Sequence, residues 1–308
     1  MNGVAILNLR DPSCITRLDE TVVVFLVINR IVDLPSAAIE SVLTNSSANI
    51  IIGYFDEKDL YDLPSSERLF YRKLVPEVNS RMPTEQKYKD FQQIEFFRLV
   101  AFKWELFIQL FDLGFNHIIY SDLDVLWISD VVTILRDFHT VAPHAKVLIQ
   151  DATSDPRKPQ LCMGLVSLVY SEEVRKLLTD CHSLHLSGTN NGEKIGDDDV
   201  ISTYYLTAGF PIWISPLPQL SFPVGILLNA YSKKSLFPGL FASKPHIFHA
   251  NYVVGERNKR LLLRVMSRVI DESNSHLKFS LEWKVLLLLK RLRYCQGNLR
   301  RKIFKIIA

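Results

Sequence analysis

Residues 116–127 read Asn116-His117-Ile118-Ile119-Tyr120-Ser121-Asp122-Leu123-Asp124-Val125-Leu126-Trp127. An apolar strand runs into two carboxylates that flank one leucine, and the chain then turns apolar again. In extended backbone, residues two apart point to one face, so both carboxylates are expected to converge. Adjacent like charges are costly without a counter-ion, and a divalent metal with oxygen ligands supplies one. An arbitrary Asp-x-Asp more often only ends a strand and caps the next turn, so the flanks have to carry the reading.

Upstream, residues 91–113 place Phe97, Val100, Ala101, Trp104, Phe107, Ile108 and Phe111 at helical spacing, and Gly114 stops the helix. The aromatic stripe reads as core. Residues 21–28, TVVVFLVI, are β-branched and uniformly apolar, which predicts a strand buried on both faces, as in a parallel sheet. A helix over 35–43 and a second buried strand over 49–55 complete a βαβ unit. Residues 61–90, polar and Pro-punctuated, read as helix and loop. Downstream, strands at 146–150 and 165–170, a helix over 172–181, a loop over 187–196, a helix over 197–206, and late strands at 212–215 and 247–248 continue the alternation. The class is α/β. In open sheets of that class ligands bind beyond the carboxyl ends of the strands, where Asp122 and Asp124 fall.

The 308 residues, 48% hydrophobic and 22% charged, exclude a largely disordered chain and fit one large α/β unit plus an extension. A formal net charge of +3 hides a split: residues 278–308 hold nine Lys/Arg against one Glu, and the body is acidic. Within that tail, Trp283, Leu286, Leu292 and Phe304 alternate with basic groups, the make-up of an interfacial helix on an anionic membrane surface. Docking of those apolar residues on the domain is the alternative. No nucleic-acid-binding fold accompanies the charge, so nucleic acid is not an expected partner. Residues 1–11 lack a basic lead before the apolar stretch and are broken by Asn8, Arg10 and Asp11, and no apolar run nears the ~20 residues of a membrane span. Cys14, Cys162, Cys181 and Cys295 form no CxxC pair, which predicts reduced thiols in a cytosolic compartment.

Lys103-Trp104-Glu105-Leu106, followed by Leu113-Gly114 and the 116–127 stretch, resembles the core of nucleotide-diphospho-sugar transferases. These are Asp-x-Asp glycosyltransferases of GT-A fold, related to plant cell-wall xylosyl- and arabinosyltransferases. Phe248-His249-Ala250-Asn251-Tyr252-Val253-Val254-Gly255-Glu256-Arg257-Asn258-Lys259 is similar to the family's late His-x-Asn-x-x-x-Gly-x-x-x-Lys element. Physically, imidazole can join two carboxylates on Mn²⁺, glycine lets backbone approach a diphosphate, and lysine offers it a point charge. Gly196-Asp197-Asp198-Asp199-Val200-Ile201 occupies the place of an Asp-Gln that opens a helix. The likeness spans roughly residues 20–265, with these patches its specific part.

The resemblance implies a GT-A fold: a Rossmann-like mixed, mainly parallel sheet flanked by helices; the make-up of residues 278–308 adds a basic helical C-terminal extension. Residues 1–277 would be the catalytic domain, about 20–130 the nucleotide-binding half and 131–277 the acceptor half, and 278–308 the basic amphipathic tail. Asp122, Asp124 and His249 would hold Mn²⁺ or Mg²⁺. Asn29 and Arg30 would meet nucleobase and ribose, and Arg98, Lys103, Asp122, Asn251, Gly255 and Lys259 would lie along a UDP- or GDP-sugar. Asp198 would bond sugar hydroxyls, with Asp199 near the anomeric carbon. Two departures stand out: Asp199 replaces an amide and could serve as a nucleophile, as an oxocarbenium stabiliser, or simply as part of an acidic helix start. Cys162-Met163-Gly164 stands where the family tends to carry Asn-x-Gly.

The expected function is a metal-dependent, retaining glycosyltransferase acting on a glycan or lipid-linked acceptor, as in surface polysaccharide synthesis. Its expected location is the cytoplasm, peripheral on the cytoplasmic face of a membrane. The alternative is a non-catalytic sugar-nucleotide-binding or scaffold protein tethered at a membrane. A pyrophosphorylase would want a Gly-rich loop after the first strand, and Asn29-Arg30-Ile31-Val32-Asp33 offers none.

Overall fold

Strand β1 (Thr21–Val27) is buried at every position, as a strand must be when it has sheet on both sides and helices on both faces. It pairs in parallel with β2 (Asn49–Tyr54), from Val22 opposite Asn49 to Val27 opposite Tyr54, with helix α1 (Leu34–Asn45) between them. A computed structural model describes residues 21–28, 34–61, 63–74, 94–152, 160–219, 221–224 and 245–251.

The remaining strands are β3 (Leu69–Lys73), β4 (His117–Ser121), β5 (Val125–Trp127), β6 (Val147–Asp151), β7 (Leu161–Val169), β8 (Ile214–Pro216) and β9 (Ile247–His249). The main sheet has seven strands in the order β3-β2-β1-β4-β7-β6-β8, and β5 and β9 form a small sheet of their own. In the main sheet only β7 runs against its neighbours, β4 and β6; the other pairs are parallel. Helices α2 (Ile94–Val100), α3 (Phe102–Asp112), α4 (Val131–Val141), α5 (Glu172–Asn190) and α6 (Asp197–Thr207) complete the two outer layers with α1.

Period-two alternation along β1 sorts the core. Val22, Val24 and Leu26 pack with Trp104, Phe107 and Leu110 of α3, Leu177 and Leu178 of α5, and Ile201 of α6. Val23, Phe25 and Val27 pack on the other face with Ile39 and Val42 of α1 and Val131 and Leu135 of α4. Full burial of each large apolar side chain contributes roughly 1.5–3 kcal/mol. The aromatic stripe of α3 is core, as its spacing predicts.

Three elements differ from expectation. Residues 61–90 hold a strand, β3, rather than only helix and loop. It is a five-residue edge strand whose inward Leu69 and Tyr71 alternate with half-exposed Phe70 and Arg72, too short a period-two pattern to stand out. Arg68 seats it by donating to the Leu43 carbonyl at 2.6 Å and to the Ser46 carbonyl. The single helix expected over 91–113 is two, with a turn at Ala101 where the Trp104 N–H donates back to the Ala101 carbonyl at 3.3 Å. Helix α5 runs on to Asn190 because His185, Gly188 and Thr189 present a buried face well past Cys181.

At the edge of the sheet where β4 begins, a hydrogen-bond chain has one consistent direction. Arg136 Nε donates to Thr21 Oγ1 at 3.1 Å, and the Thr21 hydroxyl donates to His117 Nδ1 at 3.0 Å. His117 Nε2 donates to Ser167 Oγ at 2.6 Å, and that hydroxyl donates to His139 Nε2 at 2.8 Å. His139 Nδ1 then donates to the Ala145 carbonyl at 2.8 Å. A guanidinium that only donates and a carbonyl that only accepts set the sense, so each imidazole carries a single proton. Burial, then His139 and Arg136, push His117 down to about 3. The unfolded chain therefore binds a proton below about pH 6.5 that the native state refuses, and stability is lost as pH falls from there. Through His117, unfolding free energy is expected to drop by about 2 kcal/mol between about pH 7 and pH 5. Urea titrations of wild type and His117→Asn check this; an equal pH dependence in both would contradict it.

Candidate active site

Beyond Ser121 the Asp122 N–H donates to the Gly164 carbonyl at 2.8 Å, carrying the β4–β7 ladder one step further. There the chain turns: the Val125 N–H donates to the Asp122 carbonyl at 3.1 Å. Asp122 and Asp124 thus occupy a turn, not the extended backbone from which their convergence was expected. What brings the third group in is the small sheet. Val125 pairs with His249 across β5 and β9, and the Ala250 N–H donates to the Asp124 carbonyl at 2.9 Å.

One ligand atom from each of Asp122, Asp124 and His249 lies within 4.8 Å of the others. His249 Nε2 is 3.3 Å from Asp124 Oδ1, and it is a buried ring nitrogen with no hydrogen-bond partner. His249 is 1% exposed and Asp124 8%. The ring lies against β7 so closely that a Cβ on Gly164 would stand 2.0 Å from its Cε1; only glycine leaves room. Two carboxylates and an imidazole with an unengaged nitrogen fit a divalent cation such as Mn²⁺ or Mg²⁺.

Next to this cluster Lys103 is 3% exposed. Its Nζ pairs with Asp197 and, at 3.4 Å, with Asp122 Oδ1, and lies 4.2 Å above the Tyr120 ring. Burial works to lower the ammonium, but Asp122 and Asp197 hold it well above its usual range. The Tyr120 hydroxyl donates to Asp122 Oδ1 at 2.6 Å; burial, then Asp122, keep that phenol protonated. Asp122 thus already has a cation and a donor on one oxygen.

The start of α6 faces the same region. Asp198 Oδ1 accepts the Met163 N–H at 2.6 Å, and burial, then Asp197, push its carboxyl up to about 8. Asp199 is exposed and accepts the N–H of Gly196 at 3.1 Å, the capping role open to an acidic helix start. Asn251 Nδ2 donates to Cys162 Sγ at 3.4 Å. Burial, then Asp198, raise the Cys162 thiol well above its usual range, so it stays a neutral thiol. Arg98 reaches the Thr189 carbonyl at 3.5 Å. Asn29, Arg30, Gly255, Lys259 and the 278–308 tail lie outside the described residues.

A family model described as nucleotide-diphospho-sugar transferase matches residues 45–263. The chain belongs to the nucleotide-diphospho-sugar transferase family. It is a glycosyltransferase, and family membership favours the enzyme over the non-catalytic alternative. Among solved structures, the crystal structure of mouse xyloside xylosyltransferase 1, apo form, is similar at 13% identity and a TM-score of 0.50, covering 76% of this chain and 99% of that one. That likeness shows a shared GT-A fold. No curated protein matches the chain.

In this nucleotide-diphospho-sugar transferase, several groups around the cluster carry no signal of their own in the sequence. Asp197, rather than its two neighbours, takes Lys103; the triple Asp run hides which one turns inward. Tyr120 reads as strand, and Gln150 as one polar residue in an apolar one. Gly164 keeps the glycine of the family's Asn-x-Gly, where Cys162 is the departure, but nothing in the sequence shows that the imidazole rests on it. His182 and His185, and His246 and His249, also stand three apart in the sequence, but His246 bonds Ser129 Oγ at 3.0 Å and His185 accepts from Trp104 Nε1 at 3.0 Å, so neither pair is arranged as a two-histidine metal site.

Proposed function

We propose that this glycosyltransferase is metal-dependent and retaining, and that it moves a sugar from a UDP- or GDP-sugar to a glycan or lipid-linked acceptor. The observation that carries the reading is the convergence of Asp122, Asp124 and His249 at the carboxyl end of β4. Mn²⁺ or Mg²⁺ held there would neutralise the diphosphate leaving group. Lys259 would add a point charge to the phosphates, Gly255 would let the backbone approach them, and Asn251 would lie along the donor. Asp198, anchored on the Met163 N–H, would present its second oxygen to a sugar hydroxyl. With Asp199 engaged in capping its own helix, front-face attack without a protein nucleophile is favoured over double displacement. Asn29 and Arg30 would take the nucleobase and ribose, and Arg98 would sit near the donor.

The proposal extends to organisation and place: a catalytic domain over 1–277, and a basic tail over 278–308 that holds the enzyme at the cytoplasmic face of a membrane where polysaccharide is built. The charge split supports the tail reading. Among the described residues no helix is long and apolar enough to cross a membrane.

A thermal-shift panel of UDP- and GDP-sugars with Mn²⁺ tests the donor reading. A true donor at about a hundred times its Kd stabilises the native state by roughly 2.7 kcal/mol, a rise of several degrees. The rise is expected to need the metal. Absence of any metal-dependent shift across the panel would contradict the proposal.

A further inference from the structure

Gln150 lies on β6 with no exposed surface. A buried amide has to find partners for both its donor and its acceptor ends. Its Nε2 stands 3.3 Å from the Phe222 carbonyl and 3.4 Å from the Pro223 carbonyl. Both carbonyls only accept, so the nitrogen end must face them, and the orientation of the amide follows. The oxygen end is then turned to His249, with Oε1 3.0 Å from Nδ1. An amide oxygen only accepts, so Nδ1 must carry a proton. In a neutral imidazole that leaves the lone pair on Nε2, the buried atom without a hydrogen-bond partner beside Asp124.

We propose that Gln150 is a positioning residue for the metal cluster: anchored on the Phe222 and Pro223 carbonyls, it holds His249 with Nδ1 protonated and Nε2 turned to Asp122 and Asp124 as a cation ligand. The inference rests on the metal reading proposed above and adds the device that prepares the ligand. Gly164 limits where the ring can lie, and Gln150 sets which edge faces the carboxylates. Partners of this kind are worth roughly 10–100-fold in metal affinity.

The test uses the full chain as wild type, Gln150→Met and Gln150→Glu. Methionine matches the length but accepts poorly from an imidazole; a glutamic side chain keeps an acceptor oxygen. Mn²⁺ affinity is measured by calorimetry, melting temperature without metal, and the histidine ¹⁵N shifts of the metal-free protein by NMR. Gln150→Met is expected to weaken Mn²⁺ binding roughly 10–100-fold and to move the His249 shifts away from the Nδ1–H form. Gln150→Glu keeps the acceptor toward Nδ1 but loses the donor to the Phe222 and Pro223 carbonyls, so it is expected to melt lower yet retain the Nδ1–H form of His249 and most of the Mn²⁺ affinity. In Gln150→Met, a lower melting temperature with unchanged Mn²⁺ affinity and unchanged His249 shifts would make Gln150 merely structural and overturn the proposal. A wild-type His249 protonated on Nε2 alone overturns it without recourse to any variant. If wild type binds no Mn²⁺, the metal reading fails, and the assigned role as preparer of a ligand fails with it. Binding by wild type that Gln150→Met matches sinks the inference alone.

Discussion

Asp124→Ala is expected to lower metal-dependent donor turnover by about a thousandfold or more while the protein stays folded. A bound cation facing a diphosphate leaving group is worth several kcal/mol of transition-state charge, and each 1.36 kcal/mol is about a factor of ten. Loss of one carboxylate leaves Asp122 and His249 as an incomplete set. The backbone around it has reason to persist, because the Ala250 N–H bonds the Asp124 carbonyl, not its side chain, and β5 stays paired with β9. Removing one of two adjacent negative charges also relieves repulsion in the metal-free protein. Nucleoside-diphosphate release together with a melting curve checks both halves. Loss of activity accompanied by gross unfolding would mean that Asp124 is structural.

Lys103→Met is expected to destabilise the metal-free protein by about 3 kcal/mol, because breaking a buried ion pair from one side strands the remaining charges. Those charges are Asp197 and Asp122, whose side chains are 16% and 36% exposed, so water softens the loss relative to a fully enclosed pair. The second half of the expectation runs in the opposite direction. With the ammonium gone, a divalent cation held by the cluster would supply the positive charge that Asp122 has lost. Mn²⁺ is therefore expected to raise the melting temperature of Lys103→Met more than that of wild type. Equal metal-induced shifts in the two proteins would show that Lys103 and the cation do not share Asp122.

The buried strands and the α3 core were legible because they depend on local periodicity: Val22 through Val27 are apolar enough to need no partner to declare them. Asp122 and Asp124 stood out through their flanks, and His249 only through its order after them. The rest depends on contacts between distant segments. β3 became a strand by docking on β2, which five residues with a mild alternation do not announce. The convergence of the two carboxylates rests on a turn closed by the Asp122 carbonyl, where extended backbone was expected. Asp197 meets Lys103 across more than ninety residues, and Gln150 meets His249 across a similar span. No spacing rule reaches that far. The imidazole's need for Gly164 exists only once folding brings the His249 ring against β7.

The central claim is that the Asp122, Asp124 and His249 cluster works through a divalent cation on a nucleotide sugar. Its most direct test is nucleoside-diphosphate release from the donor that shifts the melting curve, measured on wild type with EDTA and then with Mn²⁺ restored. Turnover is expected to vanish with the chelator, to return with Mn²⁺, and to stay absent in Asp124→Ala. Turnover that persists in EDTA, or that Asp124→Ala retains in full, would contradict it.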